Sequence, residues 1–104
     1  MIDALLVFCT CENQAEARRI ARILVDERLA ACANMIASVQ SIYRWEGAVS
    51  EAEEVLILIK TTPDRYPALE KRITELHSYD TPEIIATPIA AGSDRYLSWL
   101  REQV

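Results

Sequence analysis

Between Ala30 and Lys60 the sequence reads as two β-strands folded back on each other, and their length limits what the chain can become more than any other feature. From Ala31 to Glu46 the odd positions are Ala31, Ala33, Met35, Ala37, Val39, Ser41, Tyr43 and Trp45, while the even ones include Asn34, Ser38, Gln40, Arg44 and Glu46. A period of two is that of a strand with one apolar face. Gly47 accepts the left-handed backbone that a tight turn often needs, so Glu46-Gly47-Ala48 is the expected turn and Val55-Leu56-Ile57-Leu58-Ile59 the returning strand. A strand of that length, at about 3.3 Å per residue, extends roughly 50 Å, against a radius of gyration of about 13 Å for a compact chain of this size. The hairpin therefore either bends sharply, with Ala37-Ser38 the place for it, or reaches past its own subunit onto a neighbour. Tyr43 and Trp45 beside the turn favour the second, because they would leave a large apolar patch in water.

The other segments are shorter. Ala4-Leu5-Leu6-Val7-Phe8-Cys9 has no polar alternation and suits a central strand covered on both faces. Asn13 followed by Glu16 has the spacing of a reciprocal capping box. The stripe Ala17, Ile20, Ala21 and Leu24 predicts a helix to about Arg28, with Glu16, Arg18, Arg19, Arg22 and Asp26 mostly on its solvated side. Asp64 is expected to cap a second helix that runs to about His77 and buries Tyr66, Leu69, Ile73 and Leu76. Ser78 to Glu83 is a loop by composition, and Ile84 to Ile89 is a short strand that Pro88 places at a sheet edge. Gly92-Ser93-Asp94 opens a last helix in which Tyr96, Trp99 and Leu100 share a face. This order, βαββαβ with an additional C-terminal helix, is the ferredoxin-like plan: an α+β fold with an antiparallel sheet, strands one and three central, and a long β2-β3 hairpin. Helices cover one face of such a sheet, so apolar residues on the other face call for a second copy of the chain.

The chain's 104 residues suit one compact domain, expected to span 1–104. Sixteen acidic residues against eleven basic ones give a formal net charge of −5, which argues against nucleic acid as a partner. The apolar run Ala4 to Phe8 is far too short for a membrane span and lacks the basic flank of a secretion signal, so no membrane is expected and the expected location is cytoplasmic. In that setting three cysteines are expected as reduced thiols. The sequence carries no phosphate-cradling glycine loop and a single histidine, so a Ser-His-Asp centre would have to use His77; an enzyme is not expected.

Five segments carry a family resemblance: Leu29-Ala30-Ala31-Cys32-Ala33-Asn34, Ser41-Ile42-Tyr43-Arg44-Trp45-Glu46-Gly47, Ile59-Lys60-Thr61, Tyr79-Asp80-Thr81-Pro82-Glu83 and Tyr96-Leu97-Ser98-Trp99. Together they resemble the CutA family of divalent-cation-tolerance proteins, in register from about Leu5 to Leu100, with the Tyr-Arg-Trp-Glu-Gly tip the most specific part. The resemblance implies a cytoplasmic homotrimer of ferredoxin-like subunits, related in architecture to the PII signalling proteins, with a role in copper and heavy-metal tolerance. It implies no settled reaction. Cys9 falls where some members have a copper-ligating cysteine, and His77 falls at the histidine before the Tyr-x-x-Pro-Glu loop. Where such members can carry a second adjacent histidine this chain has Leu76, and Ser78 replaces the familiar proline.

Two kinds of site follow. Cys9-Thr10-Cys11 is the chain's one close pair of soft ligands, and thiolates favour Cu(I) and zinc; packing of an unpaired cysteine in an apolar strand competes with that role at Cys9 and more strongly at Cys32. His77 is either a ligand or a group that complements a helix terminus. Tyr43, Arg44, Trp45, Glu46, Lys60, Tyr79 and Glu83 lie near predicted strand ends and turns, and in a trimer they could line an intersubunit cleft for an anionic ligand or act as a scaffold. Anchoring the assembly is the competing role for Tyr43 and Trp45.

Overall fold

The computed structural model describes residues 3–104. Its elements are β1 (Leu5–Cys11), α1 (Gln14–Asp26), β2 (Cys32–Trp45), β3 (Ala48–Thr61), α2 (Tyr66–Leu76), β4 (Ile85–Pro88) and α3 (Asp94–Gln103). The sheet has the order β2-β3-β1-β4 with antiparallel neighbours throughout, so β1 and β3 are central and β4 is an edge, which is the ferredoxin-like arrangement with an added C-terminal helix.

The period of two on β1 and β3 builds the core. Val7, Cys9 and Cys11 share a face with Val55, Ile57 and Ile59, and all six are buried beneath Ala17, Ile20 and Leu24 of α1 and Leu69 and Ile73 of α2. The even positions Leu6, Phe8, Leu56 and Leu58 face the other way and are half-buried. A smaller cluster of Ala4, Ala31, Leu97 and Leu100 forms where α3 packs.

Several local expectations need correction. Asn13 caps α1 by accepting from the Glu16 N–H at 2.9 Å, but the Glu16 side chain does not close the reciprocal half of the box and is 11% exposed rather than solvated. The cap of α2 is Arg65, without a side-chain bond, and Asp64 pairs instead with Arg101 at 2.7 Å. The helices end at Asp26 and Leu76, and β4 spans Ile85–Pro88, each slightly shorter than the sequence pattern suggests. On α3 the buried pair is Leu97 and Leu100, whereas Tyr96 and Trp99 stack on each other at 5.5 Å and stay exposed.

The hairpin carries the largest correction. Glu46 (φ 49°) and Gly47 (φ 80°) form a two-residue turn with both central residues left-handed, which matches the twist of the flanking strands. Between Ile36 and Val39 the register slips by one residue, with Ser38 at φ 63° and its Oγ bonded to Glu53 Oε1 at 2.9 Å. One extra residue in a strand exchanges its faces. Ala33 and Met35 pair with Ile59 and Ile57 on the helix-covered side, while Val39, Tyr43 and Trp45 pair with Glu54, Ser50 and Ala48 on the open side. The apolar stripe of β2 is thus split between two faces at Ala37-Ser38. The hairpin still projects: the molecule extends 44 × 25 × 22 Å, and Ile42, Tyr43, Trp45 and Val49 at its far end are exposed within the chain.

The core assignment has a direct consequence for adjacent residues of α1. Leu24 is fully buried and Val25 is exposed, so Leu24→Ala should cost about 2–5 kcal/mol and Val25→Ala under about 0.5 kcal/mol, read as a shift of the urea midpoint at unchanged slope.

Candidate functional site

Cys9 and Cys11 are two residues apart on a strand, so both thiols emerge on the helix-covered face of β1, near its C-terminal end. α2 ends at Leu76, and its cap residue His77 enters the same end of the core with its side chain wholly buried. The sulfurs of Cys9 and Cys11 and a ring nitrogen of His77 lie within 4.8 Å of one another. Cys11 Sγ is 3.8 Å from His77 Nε2. Sequence reasoning paired Cys9 with His77 and left Cys11 without a definite role; the strand period, which sends i and i+2 to one face, was the signal that joins it to them.

The ring's neighbours determine its tautomer. The Tyr79 N–H can only donate, and it reaches His77 Nδ1 at 3.1 Å. Nδ1 is therefore the acceptor, so Nε2 carries the proton and donates to the Thr10 carbonyl at 2.8 Å. The Cys9 thiol also holds its proton: the adjacent Cys11 thiol, followed by burial, pushes it far above the ordinary thiol range. Three donors of this softness fit Cu(I) better than calcium or magnesium, whose ligands are oxygens.

A carboxylate lies behind the imidazole. Glu16 Oε1 is 3.9 Å from His77 Nδ1, buried, and without a hydrogen-bond partner. Burial pushes this carboxyl up, but Ser78, His77 and the Glu12 backbone outweigh it and hold the group below the usual carboxylate range. One oxygen of this carboxylate, Oε1, thus lies beside the ring without a partner of its own. Sequence reasoning missed Glu16, placing it on the solvated face of α1.

Tyr79 belongs to this end of the molecule. Its ring packs at 4.8 Å from that of His77, and its hydroxyl donates to Glu54 Oε2 at 2.8 Å. Glu54 is 8% exposed, on the open face of β3 where the hairpin register slips. Glu83 is exposed on the loop before β4. Lys60 lies toward the opposite end of β3, its ammonium bonded to Asn34 Oδ1 and 3.9 Å from Cys32 Sγ. Tyr43, Arg44, Trp45 and Glu46 are at the hairpin tip and exposed. From Ala48 to Lys60 the strand covers roughly 40 Å at about 3.3 Å per residue, so within one chain the proposed cleft residues are not brought together.

Comparison with known proteins sets this geometry in context. The sequence model described as CutA1 divalent ion tolerance protein matches residues 5–103. The divalent-cation tolerance protein CutA of Thermus thermophilus is 50% identical over 97 residues, which cover 93% of this chain and 94% of that protein. The human protein CutA is 44% identical over 95 residues, 91% of this chain; the chain spans 53% of that longer relative. The crystal structure of CutA1 from Oryza sativa superposes with a TM-score of 0.96 at 37% identity, covering 99% of this chain and 94% of that one.

The Tyr79–Glu54 bond makes a pH-dependent prediction. Burial, followed by the Glu54 carboxylate, pushes the phenol well above its ordinary value of 10.0. The folded chain holds that proton more tightly than the unfolded chain, so the contribution is complete below pH 10 and drains away as pH rises above it. Tyr79→Phe should cost about 1–3 kcal/mol at neutral pH by leaving a buried carboxylate without its donor. The difference from wild type should shrink above pH 10 in parallel denaturation curves.

Proposed function

The chain belongs to the CutA1 divalent ion tolerance family, and from that premise we propose that it confers tolerance by holding a soft metal ion, copper as Cu(I), between Cys9, Cys11 and His77. The observation that carries this reading is the convergence of two thiol sulfurs and one imidazole nitrogen within 4.8 Å inside a water-poor core. Cysteine coordinates as the thiolate and histidine as the neutral ring, so uptake competes with protons and weakens as the medium becomes acid. Three protein donors are one fewer than a closed tetrahedral zinc site uses, which suits an exchangeable ion rather than a structural one. The protein acts here as a binding protein and not an enzyme, in the cytoplasm, with neither nucleic acid nor a membrane as partner. The net charge of −5 disfavours nucleic acid, and no helix among the described residues is long and apolar enough to cross a membrane.

In the same proposal the working unit is a homotrimer. Leu6, Phe8, Leu56 and Leu58 are only half-buried on the open side of the sheet, and Tyr43 and Trp45 extend that side along the hairpin with 43% and 55% of their surface exposed. A neighbouring copy would cover both. The second reading, a PII-like trimeric module that binds a small anion or serves as a scaffold, rests on the same exposed tip. Arg44 and Glu46 at the tip approach Lys60, Tyr79 or Glu83 only if these come from different copies.

Cu(I) titration under reducing conditions against a fixed competitor should show one ion per chain, with affinity lowered about tenfold or more in Cys9→Ser, Cys11→Ser and His77→Ala, and for wild type below roughly pH 6. Equal affinity in all four proteins would remove the metal reading and favour the cleft. Light scattering at micromolar concentration should give about three chain masses, and Trp45→Ala should lower that mass if truncation of an aromatic buried between copies costs about 3–5 kcal/mol. An unchanged mass and melting temperature would show the tip to be a free loop.

A further inference from the structure

The buried Glu16 oxygen has no partner in the metal-free chain, although it faces a ring nitrogen. A buried acceptor left unsatisfied in a core is costly, and we take such an atom as the mark of a group that another state of the molecule satisfies. The neighbouring imidazole has such a state. In the metal-free chain Nδ1 accepts from the Tyr79 N–H and Nε2 holds the proton. Nε2 is also the nitrogen that faces Cys11 Sγ, at 3.8 Å, so it is the nitrogen a metal held by the thiols would meet.

We propose that Glu16 is the positioning carboxylate of the metal centre: when Nε2 takes up the ion, the imidazole proton moves to Nδ1 and Glu16 Oε1 accepts it, forming a carboxylate–histidine–metal triad. The inference rests on the metal reading above and adds the residue that orients the ligand. Protons balance in this exchange. Nε2 loses one as its lone pair binds the metal, Nδ1 gains one, the ring stays neutral, and the two thiols release theirs to solvent. The Nδ1–H···Oε1 bond requires the 3.9 Å gap to close by about 1 Å, to an ordinary hydrogen-bond length. It also requires the Tyr79 N–H to leave Nδ1, since two donors cannot face each other, and the Nε2–H bond to the Thr10 carbonyl to open. A histidine ligand whose second nitrogen donates to a carboxylate is the usual way a metal site fixes the ring and raises its basicity.

The position of Glu16 has a local cause. Asn13 occupies the cap of α1, which places residue 16 in the first turn, where the backbone N–H bonds the cap oxygen and the side chain is free to turn inward. Only two residues separate the end of β1 at Cys11 from the start of α1 at Gln14. Glu16 therefore comes to lie between the strand that supplies the thiols and the loop that supplies the imidazole.

The chain has a single histidine, so the imidazole nitrogens of 15N-labelled protein give one unambiguous pair of resonances. In the metal-free protein Nε2 should carry the proton and Nδ1 should have the shift of an unprotonated ring nitrogen. With one equivalent of Cu(I), which is diamagnetic, the pattern should reverse, with a downfield proton on Nδ1. In Glu16→Gln that proton should move upfield, and Cu(I) affinity should fall about ten- to a hundredfold at unchanged stoichiometry. Reversal in wild type can be read whether or not the variant folds. Binding through Nδ1, or wild-type affinity in Glu16→Gln, overturns the role of Glu16 and leaves the Cys9, Cys11 and His77 site standing. Failure of wild type to bind Cu(I) overturns both.

Discussion

The antiparallel pairing of β1 with β3 is the interaction on which the rest of the molecule depends. These two strands are the centre of the sheet, and their odd positions, from Val7 to Cys11 and from Val55 to Ile59, are buried beneath α1 and α2. Because side chains alternate, the pairing that buries Val7 also fixes Cys9 and Cys11 on the same side and at the same end as the cap of α2. A slip of one residue would send both thiols to the open face and leave His77 without them. The same low-water surroundings that stabilise the fold help to keep the Cys9 thiol protonated, and a soft ion is the kind of ligand that can exchange for that proton.

The sheet has a second, less complete face, and the hairpin continues it. The helix-covered side is closed within one chain, whereas Leu6, Phe8, Leu56 and Leu58 are half-buried and the tip is exposed. The bulge at Ser38 connects the two problems. By exchanging the faces of β2 it places Tyr43 and Trp45 on the side of the sheet that the chain's own helices leave open. The candidate metal centre, at the end of β1 and the cap of α2, is apart from the tip of the long hairpin. Glu54 links them, with its carboxylate bonded to Tyr79 of the histidine loop and its backbone paired with Val39 just beyond the bulge.

Much of the fold was legible because it rests on periodicity. The unbroken apolar run of β1 marked a central strand, the 3.6-residue stripes marked α1 and α2, and Glu46-Gly47 marked the turn. What was not legible depends on partners remote in sequence. Ala37-Ser38 was marked as the place for a bend, but the alternation runs unbroken through it, so the exchange of faces, which comes from Ser38 adopting a left-handed conformation, was not legible and the apolar stripe looked continuous. Glu16 carried the local signature of a capping box, yet its side chain meets His77, 61 positions away. Asp64 likewise pairs with Arg101 and is not the cap of α2. Cys11 was accessible to sequence reasoning, because a strand's period joins it to Cys9; only the proximity of His77 needed the fold.

Everything functional in this structure turns on whether the donor atoms at the end of β1 hold the metal themselves. X-ray absorption at the copper edge of the Cu(I)-loaded protein reads those atoms directly. The arrangement of Cys9, Cys11 and His77 predicts a nearest shell of two sulfurs and one nitrogen, with one sulfur lost in Cys11→Ser. A shell of nitrogen and oxygen alone, unchanged by that substitution, would place the ion elsewhere and contradict the proposed centre.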